Sequence, residues 1–195
     1  MTVESLVVLR PEVDDFLARF VARHGGGTHH ITFKVPDLST MLDACRTAGI
    51  TPVGVRLEDT KWQEAFLQPR EAHGTVVQLA QTTDPRPVTD ELPRVAAEGP
   101  SGTPLWWPDP PARAVRPVTL RHVVLGSPDR DATVTFFRDL LHGRIEDGDD
   151  TGTVLLWPGG CIRVEDADRA GIVRLGATGA PARTVTLAGV PLVVS

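Results

Sequence analysis

Between residues 28 and 82 the apolar positions follow two different periods. In THHITFKV they alternate: His29, Ile31, Phe33 and Val35 fall on one side and Thr28, His30, Thr32 and Lys34 on the other, the spacing of a strand. DLSTMLDACRTAGI has helical spacing, with Asp37 or Ser39 placed to cap its start and Gly49 to stop it. TPVGVRL, EAFLQP and GTVVQLAQ return to strand patterns. A further helix is expected earlier, where Val13, Phe16, Leu17, Phe20 and Val21 share one stripe that ends at Gly25-Gly26-Gly27.

The same order recurs after residue 117. VTLRHVVLGS reads as a strand and DRDATVTFFRDLLHG as a helix with Val134, Phe137 and Leu141 on its apolar stripe. GRIEDG, TGTVLLWP and GCIRVEDA read as three strands, with turns expected at Asp147-Gly148 and Gly159-Gly160. IVRLGATG and ARTVTLAGVPLVVS add further strands. The chain therefore carries a strand–helix–strand–strand–strand unit twice, at an offset of about 90 residues. The predicted fold class is α+β, two βαβββ modules whose curved mixed sheets form a cup with the helices outside.

Proline divides the two units. Nine of the 17 prolines lie between Gln81 and Pro117, a density that neither a helix nor a central strand tolerates. The predicted organisation is an N-terminal strand and linking helix over 1–27, a first module over 28–82, a Pro-rich linker over 83–117 and a second module with extra strands over 118–195. Trp106-Trp107 breaks the polar character of the linker, which suits a segment lying across a domain better than one free in water.

Composition narrows the functional classes. With 20 basic against 25 acidic residues the net charge is −5, so there is no basic footprint for nucleic acid. No apolar run approaches the ~20 residues of a membrane span. Met1-Thr2-Val3-Glu4 lacks the start of a secretory signal. Cys45 and Cys161 suit reduced thiols in a cytoplasmic protein. The expected partner is a small molecule, with no nucleic acid and no membrane.

Strand alternation also selects candidate chemistry. Each module should pack Ile31, Phe33, Val77 and Leu79, or Val123, Leu125, Ile162 and Val164, under its helix. The first and last strands then send His30 and Gln78, or His122 and Glu165, to the opposite face. Two imidazoles, a carboxylate and an amide oxygen would suit Zn, Mn, Co, Ni or Fe as a divalent ion with positions left open. Taken singly, a strand histidine is more often a hydrogen-bonded structural residue, and Gln78 or Glu165 an ordinary solvated position. The matched register in two repeats favours the joint reading. Lys34 and Arg163 share these faces and are candidates to hold an anionic substrate, although a solvated edge charge is the commoner role.

The segments GGGTHHITFKVPDLSTMLDACRTAGI and EAFLQPREAHGTVVQLAQ resemble the second module of methylmalonyl-CoA epimerases, and LRHVVLGSPDRDATVTFFRDLLHG through IRVED resembles a generic module of the same superfamily. That superfamily, the vicinal oxygen chelate proteins, includes glyoxalase I, extradiol dioxygenases and bleomycin-resistance proteins. The resemblance covers roughly two-thirds of the chain, and it implies metal ligands at His30, Gln78, His122 and Glu165. Gln78 stands where the matching epimerase module has a glutamate, a departure that weakens metal affinity.

Three functions follow as expectations. A divalent-metal-dependent isomerase or lyase would act on a small carbonyl or acyl substrate through an enolate-type intermediate, with Glu165 as the catalytic base. A metal-free protein of the resistance or sequestration type would bind a small molecule in the same cup. An Fe(II) extradiol-type dioxygenase could use His30, His122 and Glu165, but the chain has no Tyr, which such enzymes of this superfamily usually employ. A homodimer is expected because Val185, Leu187, Val190, Leu192 and Val194, and the SLVVLR strand, leave apolar edges to cover.

Overall fold

The computed structural model describes residue 22 and residues 28–59, 62–82, 119–158, 160–179, 181–187 and 189–195. The expected SLVVLR strand, almost all of the expected first helix and the Pro-rich linker with Trp106-Trp107 lie outside these residues. The first sheet contains β1 (His30–Lys34), β2 (Val53–Arg56), β3 (Trp62–Leu67) and β4 (Val76–Thr82), with helix α1 (Leu38–Thr47) between β1 and β2. The second contains β5 (Thr119–Ser127), β6 (Arg144–Asp149), β7 (Gly152–Trp157), β8 (Gly160–Asp166), β9 (Gly171–Thr178), β10 (Arg183–Leu187) and β11 (Val190–Val194), with helix α2 (Arg130–Thr135) after β5.

Both modules share one topology. The spatial order is β1-β4-β3-β2 in the first sheet, and β5-β8-β7-β6 repeats it in the second. β1 runs parallel to β4 and β5 parallel to β8, while the other pairs within each module are antiparallel. The extra strands extend the second sheet: β9 pairs antiparallel with β5, β11 joins β9 in parallel, and β10 closes back on β11. Two open mixed sheets with few helices make this an α+β fold.

The helices form where capping and periodicity agree. Asp37 Oδ1 accepts a 2.7 Å bond from the Thr40 N–H at the start of α1, a cap that contributes about 1 kcal/mol. Gln81 Oε1 accepts from the Leu38 N–H at 2.7 Å and ties that start to β4. Leu38, Met41, Leu42 and Cys45 make the buried stripe, and Gly49 ends the helix at φ 78°. Burial pushes the Cys45 thiol up to about 11, so it is an inert core group.

The second helix departs from the expected single amphipathic run over 129–143. After α2 the backbone widens into a π-turn over Phe136–Leu140. The adjacent rings of Phe136 and Phe137 are both buried there, facing His73 and Phe33 respectively, whereas a regular helix would turn them about 100° apart. The turn expected at Asp147-Gly148 is also displaced. β6 continues through Asp149, and the chain reverses at Asp150-Thr151, because Asp149 Oδ1 accepts from both the N–H (2.8 Å) and the hydroxyl (2.6 Å) of Thr151.

One hydrophobic cluster joins the helix-side residues of both sheets. Phe33 of β1 lies 5.2 Å from the Trp157 ring of β7, centroid to centroid. The β3–β4 turn seals the same junction. His73, at φ 51°, bonds Thr133 Oγ1 through Nδ1 at 3.0 Å. Gly74, at φ 87°, lies so close to Ala170 that an added Cβ would fall on its backbone. Only glycine fits there, in conformation and in space.

Candidate functional site

The alternation expected of the strands places His30 and His122 on the faces away from the helices, since Ile31, Phe33, Val123 and Leu125 all lie in the helix-side core. The register then shows what surrounds each residue. Thr32 lies opposite Gln78, and Gln78 opposite Phe66, so the polar face of the first sheet carries His30, Thr32, Gln78, Glu64, Phe66 and Trp62. His30, Thr32 and Gln78 are all buried.

These side chains form a relay. The Thr32 hydroxyl donates to Gln78 Oε1 at 2.6 Å, and Gln78 Nε2 donates to Glu64 Oε2 at 2.8 Å. The Trp62 indole N–H donates to the same oxygen at 3.0 Å. Arg56 approaches Glu64 Oε1 at 3.6 Å from a largely exposed position, an ion pair of little energetic weight. His30 Nδ1 lies 2.9 Å from His29 Nδ1, and among the described residues His30 Nε2 is buried without a hydrogen-bond partner. Burial holds the His30 imidazole below its ordinary 6.5, with the Glu64 charge and the Gln78 amide pulling against it. Burial, reinforced by His30, takes His29 down to about 4.

The second sheet carries a different set. His122 lies between Cys161 and Gly176, and its ring covers Gly176 so closely that an added Cβ would collide with it. Glu165 Oε1 accepts from Arg163 Nε at 3.0 Å and from Arg174 Nη2 at 2.8 Å. Arg163 Nη2 also donates to Asp149 Oδ1 at 2.9 Å and Thr151 Oγ1 at 2.6 Å. Burial, then Arg174 and Arg163, holds the His122 imidazole low, against the pull of Glu165.

The four candidate ligands are divided between the two sheets, His30 and Gln78 on the first and His122 and Glu165 on the second. Among the described residues, no group of three or more His, Cys, Asp or Glu is placed to hold a metal ion. The donor chemistry is equally specific. Gln78 has turned its oxygen to Thr32 and its N–H to Glu64, and Glu165 Oε1 is already bracketed by two guanidiniums. As a set, these residues do not fit an ion, because the Gln78 oxygen and one Glu165 oxygen are already taken. Of the substrate candidates, Arg163 is committed to Glu165, Asp149 and Thr151, and Lys34 is exposed at the end of β1.

Glu64, Trp62, Asp149 and Arg174 were not among the residues the sequence analysis selected. Glu64 and Trp62 were within its reach: the β3–β4 hairpin register puts 62, 64 and 66 on the face of Gln78. Arg174 was not, because its position depends on β9 returning beside β5.

No protein-family model matches the chain, and no curated protein matches it. Solved structures do. A hypothetical protein from Staphylococcus aureus aligns with a TM-score of 0.63 at 11% identity, covering 95% of this chain and 74% of that one. The Mn(II)-bound glyoxalase from Novosphingobium aromaticivorans aligns at 0.52 and 13% identity, covering 85% and 61%. A variant 4-hydroxymandelate synthase from Streptomyces coelicolor aligns at 0.51 and 16%, covering 85% and 53%. The fold is that of the vicinal oxygen chelate superfamily. At these identities the likeness speaks for the fold alone, and this chain spans little more than half the length of the synthase. In vicinal oxygen chelate terms it has two βαβββ modules joined through their helix-side core, with an added β9–β11 extension. Among the described residues, no helix is long and apolar enough to cross a membrane.

Proposed function

We propose that this vicinal oxygen chelate protein binds a small organic molecule against the polar faces of its sheets, without a resident metal ion. The observation that carries this reading is the pairing of Glu165 with Arg163 and Arg174. A carboxylate that neutralises two guanidiniums is poorly suited to serve as a metal ligand, and it is held away from service as a free base. Buried polar groups at His30, Thr32 and Gln78 beside apolar Val76 and Ala80 supply the mixed lining that small-molecule sites use.

The test is a fragment screen by ligand-observed NMR, with binding mapped on the labelled protein. Fragments should shift the resonances of His30, Trp62 and Gln78 or of His122 and Arg163. Hits confined to the helix surfaces, or no hits, would contradict the reading.

A second reading is the divalent-metal-dependent isomerase or lyase acting on a small carbonyl or acyl substrate. The unpartnered Nε2 of buried His30 favours it. It requires Glu165 to leave both arginines.

We also propose a homodimer. β11 is satisfied within the chain, and Val194 is buried. Among the described strands, however, β1 and β10 each have one hydrogen-bonded neighbour, and Val185 on β10 is 39% exposed.

A further inference from the structure

We propose that Arg174 on β9 receives a carboxylate carried by the small organic ligand, with the His122 ring as a shelf for the rest of that molecule. The inference rests on the small-molecule reading above and names the chemical class it selects. Two guanidiniums reach Glu165 Oε1, and they differ in what remains to them. Arg163 is committed on both sides: Nε donates to Glu165, and Nη2 donates to Asp149 and Thr151. Arg174 makes one hydrogen bond, through Nη2. Its Nε and Nη1 donate to nothing among the described residues, and 38% of its side chain is exposed. A guanidinium tethered at one nitrogen, with spare N–H groups and access to solvent, suits a planar carboxylate, which takes two such donors at once.

Strand register places the neighbours. Arg174 stands opposite Val124, and Gly176, the next residue of β9 on the same face, stands opposite His122. The His122 ring fills the space that a side chain at 176 would need: a Cβ built there would fall on its Cε1, Nε2 and Nδ1. The ring therefore lies on β9 itself, two residues along from Arg174, a step of about 7 Å. Val193 of β11, half-buried and paired with Gly176, continues the shelf. That step is about the length of a small aromatic acid, so a carboxylate at Arg174 leaves its ring over the imidazole and Val193. A protonated amine would meet the Arg174 charge, and a neutral group would leave the spare N–H groups to water. Glu165 Oε2 accepts no hydrogen bond among the described residues, so its carboxylate is the group that competes with an incoming anion.

The probes are benzoate, benzyl alcohol and benzylamine, which share a shape and differ in charge, with binding read by ligand-observed NMR. Benzoate should bind best to the wild-type chain. Arg174→Gln should weaken benzoate about tenfold or more. Glu165→Gln removes the competing charge and should tighten it. Arg46→Gln, on the exposed side of α1, should leave binding unchanged. Benzoate binding no better than benzyl alcohol, unaffected by Arg174→Gln, not tightened by Glu165→Gln, or weakened as much by Arg46→Gln overturns the carboxylate proposal. The small-molecule reading would survive that result if the alcohol or the amine binds a polar face. Failure of all three probes to touch the polar faces contradicts both. Should Arg174→Gln not fold, the His122 ring resonances of the wild-type chain give the answer: they move with benzoate and not with benzylamine, and absence of that difference overturns the proposal.

Discussion

Glu165 shows how a residue can stand at the position its sequence pattern implies and still be chemically committed elsewhere. Glu165→Ala would leave Arg163 and Arg174 without their shared half-buried carboxylate and should cost about 1–2 kcal/mol in a urea titration, between the exposed and fully buried limits for ion pairs. A loss near zero would mean that the arginines are satisfied by water and that Glu165 is freer than the geometry implies. Gly176→Ala puts a methyl group where the His122 ring lies, so it should cost about 1–3 kcal/mol and shift the His122 resonances. Unchanged His122 signals would contradict that packing. Alternation alone identified the faces of His30, Gln78, His122 and Glu165, because side-chain direction in a strand is a local property. Their hydrogen-bond partners were not legible in the same way. Thr32 and Glu64 reach Gln78 only once β1, β3 and β4 are in register, and Arg174 reaches Glu165 only through β9.

At the scale of elements, the order of strands and helices could be read from the chain because period, caps and glycine stops agreed in both units. The failures were local and had local causes: two adjacent phenylalanines that both needed burial opened α2 into a π-turn, and the Asp149–Thr151 bonds moved a hairpin by three residues. The β3–β4 turn adds to the shared core a second contact between the two modules. Gly74→Ala combines a positive φ with a clash against Ala170, so it should destabilise the chain by about 2 kcal/mol or more, measured by thermal or urea unfolding. A neutral result would show that the turn is not seated against the second module.

At the scale of the whole molecule, buried histidines make stability depend on pH. His29, held down to about 4, and His30, His73 and His122, all shifted below 6.5, bind protons less readily folded than unfolded. The unfolded chain gains protons first as pH falls through 6.5. Stability should therefore be full above about pH 7 and decline toward pH 4, with the melting temperature falling over that window. A flat profile between pH 7 and 5 would contradict the burial of these rings. Sedimentation equilibrium addresses the dimer: twice the 21.0 kDa chain mass is expected, and a single 21.0 kDa species would remove that proposal.

The central claim is that Gln78 and Glu165 are committed to neighbouring side chains and that the polar faces hold an organic ligand without a metal ion. Equilibrium dialysis against Mn²⁺, Zn²⁺ or Co²⁺ at micromolar free metal, followed by elemental analysis, tests it most directly. The predicted result is no stoichiometric ion on the wild-type chain and no change in Glu165→Gln or His122→Ala. Stoichiometric metal on the wild type that disappears in both variants would contradict it, because Glu165 would then have exchanged its two arginines for an ion.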